Sequence, residues 1–321
     1  MMLAAADTLT LPMSITIVSQ GRDVSPWVKA LKKKRPDLEL YVFPDDQPRE
    51  EITFALSWGH PLGMFREYPN LKCISSLGAG VDHILKDPDI PEQVQIARIK
   101  DENLTSDMAN FTMALVLNHL RDLHHYKAAE ETQTWKPLRY KRNAEVTVGV
   151  MGIGTLGSEV ARRLSSIGLR VTGWASSAKQ LEGVGVYAGQ GEFDAFLATA
   201  DILICLLPLT PDTTDILNKE TFLKLPKGAF LINVARGEHL VEEDLLEMLE
   251  TGHLSGASLD VFREEPLPES HPFWAHPRIN VTPHIASVTN PESAVDQILE
   301  NYDRIQNGQQ PLNLVSRAKG Y

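Results

Sequence analysis

From Ser14 onward the chain alternates between two patterns. Short apolar runs rich in β-branched residues occupy 14–19 (SITIVS), 38–43 (LELYVF), 52–58 (ITFALSW) and 71–78 (LKCISSLG), as expected of strands buried on both faces. Between the first two lies 26–35, where Trp27, Val28 and Leu31 recur at helical spacing and Pro36 supplies a stop. Strands separated by helices imply a parallel sheet covered on both sides. The pattern then lengthens. From 105 to 125, Met108, Phe111, Thr112, Leu115, Val116 and His119 return every three or four positions, which predicts one long helix able to carry the chain into a second domain. A polar stretch, 127–143, follows with Trp135, Pro137 and Tyr140 inside it, and a loop of that length is normally functional or docked on something.

A second alternating run predicts strands at 145–152, 169–174, 201–208, 228–235, 254–262 and 279–286, with helices such as 155–167 and 241–250 between them. Six strands with crossovers outline a dinucleotide-binding domain. Residues 291–307 read as a helix leading back towards the first domain. The predicted fold class is therefore α/β, with two Rossmann-like, doubly wound parallel sheets.

Composition narrows the function. A chain of 321 residues is long enough for two ordinary domains, and 43% apolar with 23% charged residues is globular. The most apolar stretch, 202–209, is short and contains Pro208, so no membrane contact is expected. The opening MMLAAADTLTLPM has no base before Arg22, and a secretory signal needs one ahead of its apolar core; these residues read as a loose leader. Cys73 and Cys205 both sit in apolar runs and are expected as buried thiols in a reducing cytoplasm. A net charge of −11 argues against nucleic acid, whose phosphates need a basic face. It also demands that any anionic ligand be held by local cations against an unfavourable overall field. The ten histidines show no ligand cluster, so no metal is expected.

The first chemical motif is Gly152-Ile153-Gly154-Thr155-Leu156-Gly157. GxGxxG alone is weak, but here it follows an apolar strand, opens a helix and is closed by another strand within about thirty residues. Gly152 permits the tight turn, Gly154 lets backbone approach a pyrophosphate, and Gly157 lets helix pack on strand. The helix start offers N–H groups and partial positive charge to the phosphates. An NAD site places a carboxylate at the end of the next strand to accept from the ribose 2′-OH. That position is Ala175, followed by Ser176, Ser177 and Lys179, which favours NADP(H) and leaves NAD(H) possible.

Three polar residues then follow strands of the second run: Arg236 after FLINVA, Glu265 in REEPLP and His284 in VTPHIA. Ligands of open α/β sheets bind beyond the carboxyl ends of the strands, where these residues would gather. Arginine grips a carboxylate with a planar fork, histidine donates protons near neutral pH, and a glutamate behind it fixes the ring and favours its charged form. Each alone reads as structural; their joint placement after the glycine motif points to reduction of a keto acid.

These residues, with LGAGVDHIL (77–85), TWKPL (134–138), LLPLTPDT, LDVFREEPLP, HPFWAHP and the terminal RAKGY, resemble the D-isomer-specific 2-hydroxyacid dehydrogenases, and within them the branch that reduces glyoxylate and hydroxypyruvate. The resemblance runs from about Ser14 to Tyr321. It implies Arg236, Glu265 and His284 as catalytic residues, with the hydride coming from nicotinamide and the proton from His284. It implies Ala79 and Gly80 as backbone donors to the substrate carboxylate, Trp58 in the substrate pocket, and Trp135 reaching a neighbouring subunit. Leu207, Pro208 and Thr213 would wall the adenosine, Asp260 would meet the nicotinamide carboxamide, and Val234, Ala235 and Ala286 would complete the cofactor site. The implied domains are 1–106 plus 289–321 for substrate and 107–288 for dinucleotide, with a cleft between them and residues 121–143 embracing a second copy in a homodimer. Three alternatives stay open: a bulkier 2-keto acid such as phenylpyruvate, NAD-linked oxidation in serine biosynthesis, and a nucleotide-sensing binding protein on the same fold.

Overall fold

The computed structural model describes residues 14–321, and the N-terminal leader reading lies outside them. The chain divides into two compact units, one comprising residues to Asp101 together with Thr289–Tyr321, the other Glu102–Val288.

The first unit holds β1 (Ser14–Ser19), α1 (Ser25–Lys34), β2 (Glu39–Val42), β3 (Phe54–Trp58), β4 (Cys73–Ser76), a single turn α2 (Asp82–Leu85) and β5 (Gln95–Ala97). All pairings are parallel, in the order β2-β1-β3-β4-β5. The order therefore reverses between β1 and β3, the switch point at which doubly wound sheets open a crevice at their carboxyl ends.

The second unit begins with α3 (Glu102–Leu120) and α4 (Leu123–Glu131). The single helix expected over 105–125 is thus two. Asp122 takes a left-handed backbone (φ 51°), a conformation that a short polar side chain tolerates, and it breaks the run where neither glycine nor proline announces a stop. Helix α4 also claims the first part of the expected loop 127–143. Then come β6 (Thr147–Met151), α5 (Thr155–Ser166), β7 (Arg170–Ala175), β8 (Gly185–Ala188), α6 (Phe193–Leu197), β9 (Ile202–Cys205), α7 (Lys219–Lys224), β10 (Ala229–Asn233), α8 (Glu242–Glu250), β11 (Leu254–Leu259) and β12 (Ile279–Val281). They build a parallel sheet in the order β12-β11-β10-β9-β6-β7-β8, switching between β6 and β9. Alternation along the strands explains the continuous apolar runs. Leu203 and Cys205 face one core with Phe193, Phe196 and Leu245, while Ile202 and Ile204 face the other with Val160, Leu164 and Val116. No helix of the described residues is long and apolar enough to cross a membrane.

The last helix, α9 (Pro291–Gln306), returns the chain to the first unit. Asn290 caps its start by accepting from the Glu292 N–H. Its apolar stripe, Val295, Ile298, Leu299, Tyr302 and Ile305, enters the core of β1 and β3. Basic residues at the end of α1 meet its acids: Lys33 with Glu292, Lys34 with Asp296, and Arg35 with both carboxylate oxygens of Asp303 (3.1 and 2.6 Å).

Candidate active site

The turn after β6 is built around close backbone approaches. Gly152 has φ 99°, and a Cβ there would lie 2.6 Å from the Leu206 carbonyl oxygen; one on Gly157 would lie 2.0 Å from the Gly152 oxygen. Only glycine fits either place. A Cβ on Gly154, in contrast, would meet nothing within 4 Å, and no side chain caps α5, which starts there. The N–H groups of Thr155, Leu156 and Gly157 therefore lie at an uncapped helix start beside the switch point, the arrangement that receives a phosphate. These residues fit a dinucleotide pyrophosphate.

At the end of β7, Ala175 is buried and Ser176 and Ser177 are exposed, with no carboxylate to accept from a ribose 2′-OH. The Lys179 ammonium donates to the Ile153 carbonyl (2.6 Å), so the cation expected at a 2′-phosphate is anchored over the glycine turn. After β9, Thr213 Oγ1 donates to the Pro208 carbonyl (2.7 Å) and accepts from the Thr210 N–H (2.9 Å), closing the turn that holds Leu207 and Pro208. A residue the sequence did not single out locks this turn. The fully buried ring of His239 lies 2.8 Å from the Thr213 carbonyl and 3.1 Å from the Leu207 carbonyl. Burial pushes this imidazole below the usual histidine range against the pull of the two carbonyls.

Three strand ends deliver the catalytic candidates. After β10, buried Asn233 pins the turn from both sides: its amide donates to the Arg236 carbonyl (2.9 Å), and its side-chain oxygen accepts from the Ala235 N–H (3.2 Å). Val234 and Ala235 are buried beside it, and Arg236 is half-buried with Nη1 donating to the Ala235 carbonyl (2.6 Å). Gly237 brings this turn against the next, since a Cβ there would lie 1.9 Å from the Phe262 carbonyl carbon. After β11, Glu265 accepts from the Phe262 N–H (3.0 Å) through one carboxylate oxygen and faces His284 Nδ1 with the other (2.7 Å). Burial raises the Glu265 carboxyl, but the His284 ring, the Phe262 N–H and the charge of Arg236 together outweigh it and hold the group below the usual range.

His284 itself sits in a left-handed backbone, φ 51°, which persists only where the surroundings impose it. Asp260 does so. This residue is fully buried. Its carboxylate accepts from Thr282 Oγ1 (2.6 Å), the Ile285 N–H (3.0 Å) and the Ala286 N–H (2.8 Å), and its carbonyl accepts from the His284 N–H (2.8 Å). The carboxylate expected at a nicotinamide carboxamide is thus committed to the loop that presents His284. Beside that loop an open recess of about 450 Å³ is lined by Asp107, Asn110 and Phe111 of α3 and by residues 285–288.

In the first unit, Ser76 shapes the turn after β4. Its hydroxyl donates to the Gly80 carbonyl (2.7 Å) and accepts from the Gly78 N–H (3.1 Å). The N–H groups of Ala79 and Gly80 have no protein acceptor among the described residues and form a pair of anion donors. Trp58 closes β3 nearby, its ring against that of His83 (4.6 Å). Trp135, in the second unit, is 98% exposed. The structure thus joins Arg236, Glu265 and His284 in one cluster of adjoining turns, places Trp58 with Ala79 and Gly80 in another, and leaves Trp135 on the surface.

An uncapped phosphate turn at the switch point, with an arginine and a glutamate-backed histidine on the following strand ends, defines a dinucleotide-dependent oxidoreductase. Residues 113–286 match the family described as D-isomer specific 2-hydroxyacid dehydrogenase, NAD binding domain. The chain is 40% identical to glyoxylate/hydroxypyruvate reductase A of Serratia proteamaculans over 96% of its own length and all of the relative's, and 38% identical to the Yersinia enterocolitica protein of the same name over the same shares. Among solved structures it is similar to a D-isomer specific 2-hydroxyacid dehydrogenase from Xanthobacter autotrophicus in complex with NADPH (TM-score 0.91, 38% identity, 97% of this chain and all of that one). It is also similar to an NADPH-dependent glyoxylate/hydroxypyruvate reductase from Sinorhizobium meliloti in complex with NADP and sulfate (TM-score 0.90, 37% identity, 96% and all). The chain belongs to the D-isomer-specific 2-hydroxyacid dehydrogenase family.

Proposed function

We propose that this protein reduces small 2-keto acids, glyoxylate and hydroxypyruvate, to their 2-hydroxy acids with NADPH. The observation that carries the reading is the 2.7 Å contact of His284 Nδ1 with Glu265, in a loop tied down by Asp260. With Nδ1 donating to the carboxylate, Nε2 is the ring's working edge. The relatives named for this activity match the whole length of the domain pair, and two of the similar structures hold NADPH or NADP.

Bound at the glycine turn, reduced nicotinamide supplies the hydride. The N–H groups of Thr155, Leu156 and Gly157 take the pyrophosphate, and Leu207, Pro208 and Thr213 wall the adenosine. Ser176, Ser177 and Lys179 accept a 2′-phosphate, which the carboxylate of an NAD site would repel. Arg236 grips the substrate carboxylate and polarises the ketone oxygen, where negative charge grows during reduction. Ala79 and Gly80 add two N–H donors for the carboxylate. His284 holds a proton at Nε2 and delivers it to that oxygen, while Glu265 keeps the ring oriented and compensates its positive charge.

The exposed apolar residues Leu123, Tyr126, Trp135 and Tyr140, with the Arg121 guanidinium 4.3 Å above the Tyr140 ring, support a homodimer in which this segment covers a second copy. The buried free thiols of Cys73 and Cys205 suit the reducing cytoplasm, where NADPH is drawn on. A sedimentation mass of one chain would overturn the dimer.

The test of function is the initial rate of NADPH oxidation with glyoxylate, hydroxypyruvate and phenylpyruvate, repeated with NADH and with His284→Asn. Fast turnover of the two small acids, NADPH preferred, with a loss of about 100- to 10,000-fold in the variant, is expected. Preference for phenylpyruvate would overturn the substrate. Cofactor binding without turnover of any acid would identify a nucleotide-sensing protein instead.

A further inference from the structure

Three neighbouring strand ends of the second unit carry its part of the site: the turn after β9 runs from Leu207 to Asp215, the turn after β10 presents Arg236, and the turn after β11 presents Glu265. The first two are bonded through their backbones. The Asp215 N–H donates to the Glu238 carbonyl (2.9 Å), the Leu217 N–H to the His239 carbonyl (2.8 Å), and the Val241 N–H to the Leu217 carbonyl (3.0 Å). The second and third meet at bare backbone, where a Cβ on Gly237 would lie 1.9 Å from the Phe262 carbonyl carbon and 2.3 Å from the Arg263 nitrogen. Contact of this kind sets a distance but no register; hydrogen bonds, which are directional, do that.

Arg263 supplies such bonds. It stands between Phe262, whose N–H holds Glu265, and Glu265 itself. Its side chain turns back over residues 237–240: Nε donates to the Leu240 carbonyl (2.8 Å), and Nη2 donates to the Glu238 carbonyl (3.3 Å) and to the Asp215 carboxylate. One planar fork thus joins all three turns. Asp215 in turn holds the fork, and it does so from a left-handed backbone (φ 57°) that costs any residue with a side chain and that glycine would adopt freely. The ion pair is half exposed, at 39% and 51%, so it contributes little to folding stability. Backbone strain kept for an ion pair of little worth to the fold points to a use in the site.

We propose that Arg263 is a positioning residue that fixes Arg236 relative to the Glu265–His284 pair, with Asp215 holding its guanidinium in place. The inference rests on the reductase reading above. In this role Arg263 touches neither substrate nor cofactor and acts through the turns it joins. The group that grips the carboxylate and the group that delivers the proton must be set against each other closely, since a misplacement of about 1 Å can cost about 100-fold in rate.

The experiment compares the full-length protein with Arg263→Met, Arg263→Lys, Asp215→Gly and the double variant Arg263→Met with Asp215→Gly. Each is followed by kcat/KM for glyoxylate, by NADPH fluorescence titration and by its denaturation midpoint. Methionine keeps the apolar stem and loses every bond. In Arg263→Met kcat/KM should fall about 10- to 100-fold, the range of one hydrogen bond to a charged group, with NADPH affinity within about threefold and the midpoint close to the natural one. Lysine keeps the charge without the fork, and its kcat/KM should stay roughly fivefold or more below the natural value. Asp215→Gly keeps the left-handed turn and its N–H, releases the guanidinium and should cost about 3- to 10-fold; added to Arg263→Met it should cost nothing further. Full kcat/KM in Arg263→Met, the natural value in Arg263→Lys, or losses that multiply in the double variant would overturn the proposal. A lowered midpoint with kcat/KM per folded molecule unchanged would overturn it too, marking Arg263 as a support for the fold only. Failure of the unsubstituted protein to oxidise NADPH with glyoxylate would instead sink the reductase reading, so the two failures are told apart.

Discussion

Replacing Asp260 with asparagine changes one atom in a fully buried carboxylate and should disable His284 from a distance. Three donors converge on that carboxylate: Thr282 Oγ1 and the Ile285 N–H on one oxygen, the Ala286 N–H on the other. Whichever way an amide is turned, its NH2 faces at least one of those N–H groups. A bond to a charged acceptor, about 1.5–3 kcal/mol, is lost, and a buried donor is stranded at about 1–3 kcal/mol more. The loop also holds His284 at φ 51°, a backbone costing about 1–2 kcal/mol that the lost bonds helped to impose. A deficit of about 3–4 kcal/mol corresponds to roughly 100- to 1,000-fold in the population of the working loop. We expect kcat with glyoxylate to fall by about that factor while NADPH affinity, followed by cofactor fluorescence, changes far less. The effect is routed through His284, so adding Asp260→Asn to His284→Asn should cost little further activity. Full turnover with an unchanged denaturation midpoint would refute the argument, as would two activity losses that simply multiply.

Two further outcomes follow from histidines, His239 buried and His119 half-buried. His239→Leu removes the ring that packs between the Thr213 and Leu207 carbonyls, together with the N–H it donates to one of them, and loosens the adenosine wall; KM for NADPH should rise about tenfold with kcat nearly kept, and loss of kcat at unchanged KM would contradict the assignment. His119, stacked on Phe230 at 3.8 Å, is held from 6.5 down to about 4 chiefly by burial, against the pull of Asp122. The unfolded chain takes up this proton near 6.5 and the folded chain only near 4, so the stability is full above the first value and drains as pH falls between them. The loss should reach about 2 kcal/mol near pH 5, and His119→Phe, which keeps the stack, should lose that much less than the natural chain in denaturant titrations at about pH 7 and 5. Equal losses in the two proteins would show that the imidazole stays neutral in neither state.

The strands and the glycine turn were legible because two independent patterns agreed: apolar runs of strand length, and glycines at the spacing a strand-turn-helix needs. Their ends were not. The runs at 201–208, 228–235 and 254–262 each extend about three residues past the pairing, which stops at Cys205, Asn233 and Leu259. Leu207, Val234, Ala235, Val261 and Phe262 stay apolar because they are buried, not because they pair. They are the first residues of the turns that form the site, so the overrun marks where ligand-facing backbone begins. Strands β5 and β8 went unread for the opposite reason, being short edge strands with half-polar sequence. The triad was readable from residue type and strand order, but its supports were not. Asn233 closes a turn on its own backbone, and the acceptors of His239 lie 26 and 32 residues away, which no local spacing records. The nicotinamide role of Asp260 came from the family resemblance; the three donors that its carboxylate takes from the His284 loop are visible only in the fold.

The same arrangement answers how a chain of net charge −11 can hold anions. Around the proposed site the carboxylates are turned inward and used: Asp260 by three loop donors, Glu265 by the Phe262 N–H and His284. The donors are turned outward: the uncapped start of α5, and the Ala79 and Gly80 N–H groups. Oriented dipoles attract an anion at hydrogen-bond range without adding to the net charge. A carboxylate that lies more than about 8 Å from a bound anion is largely screened by physiological salt. Net charge therefore governs how the protein behaves in bulk and says little about what its turns will bind. Only a few full cations are then required, each where a ligand carries more charge than backbone can meet: Lys179 beside the cofactor turn and Arg236 in the catalytic cluster.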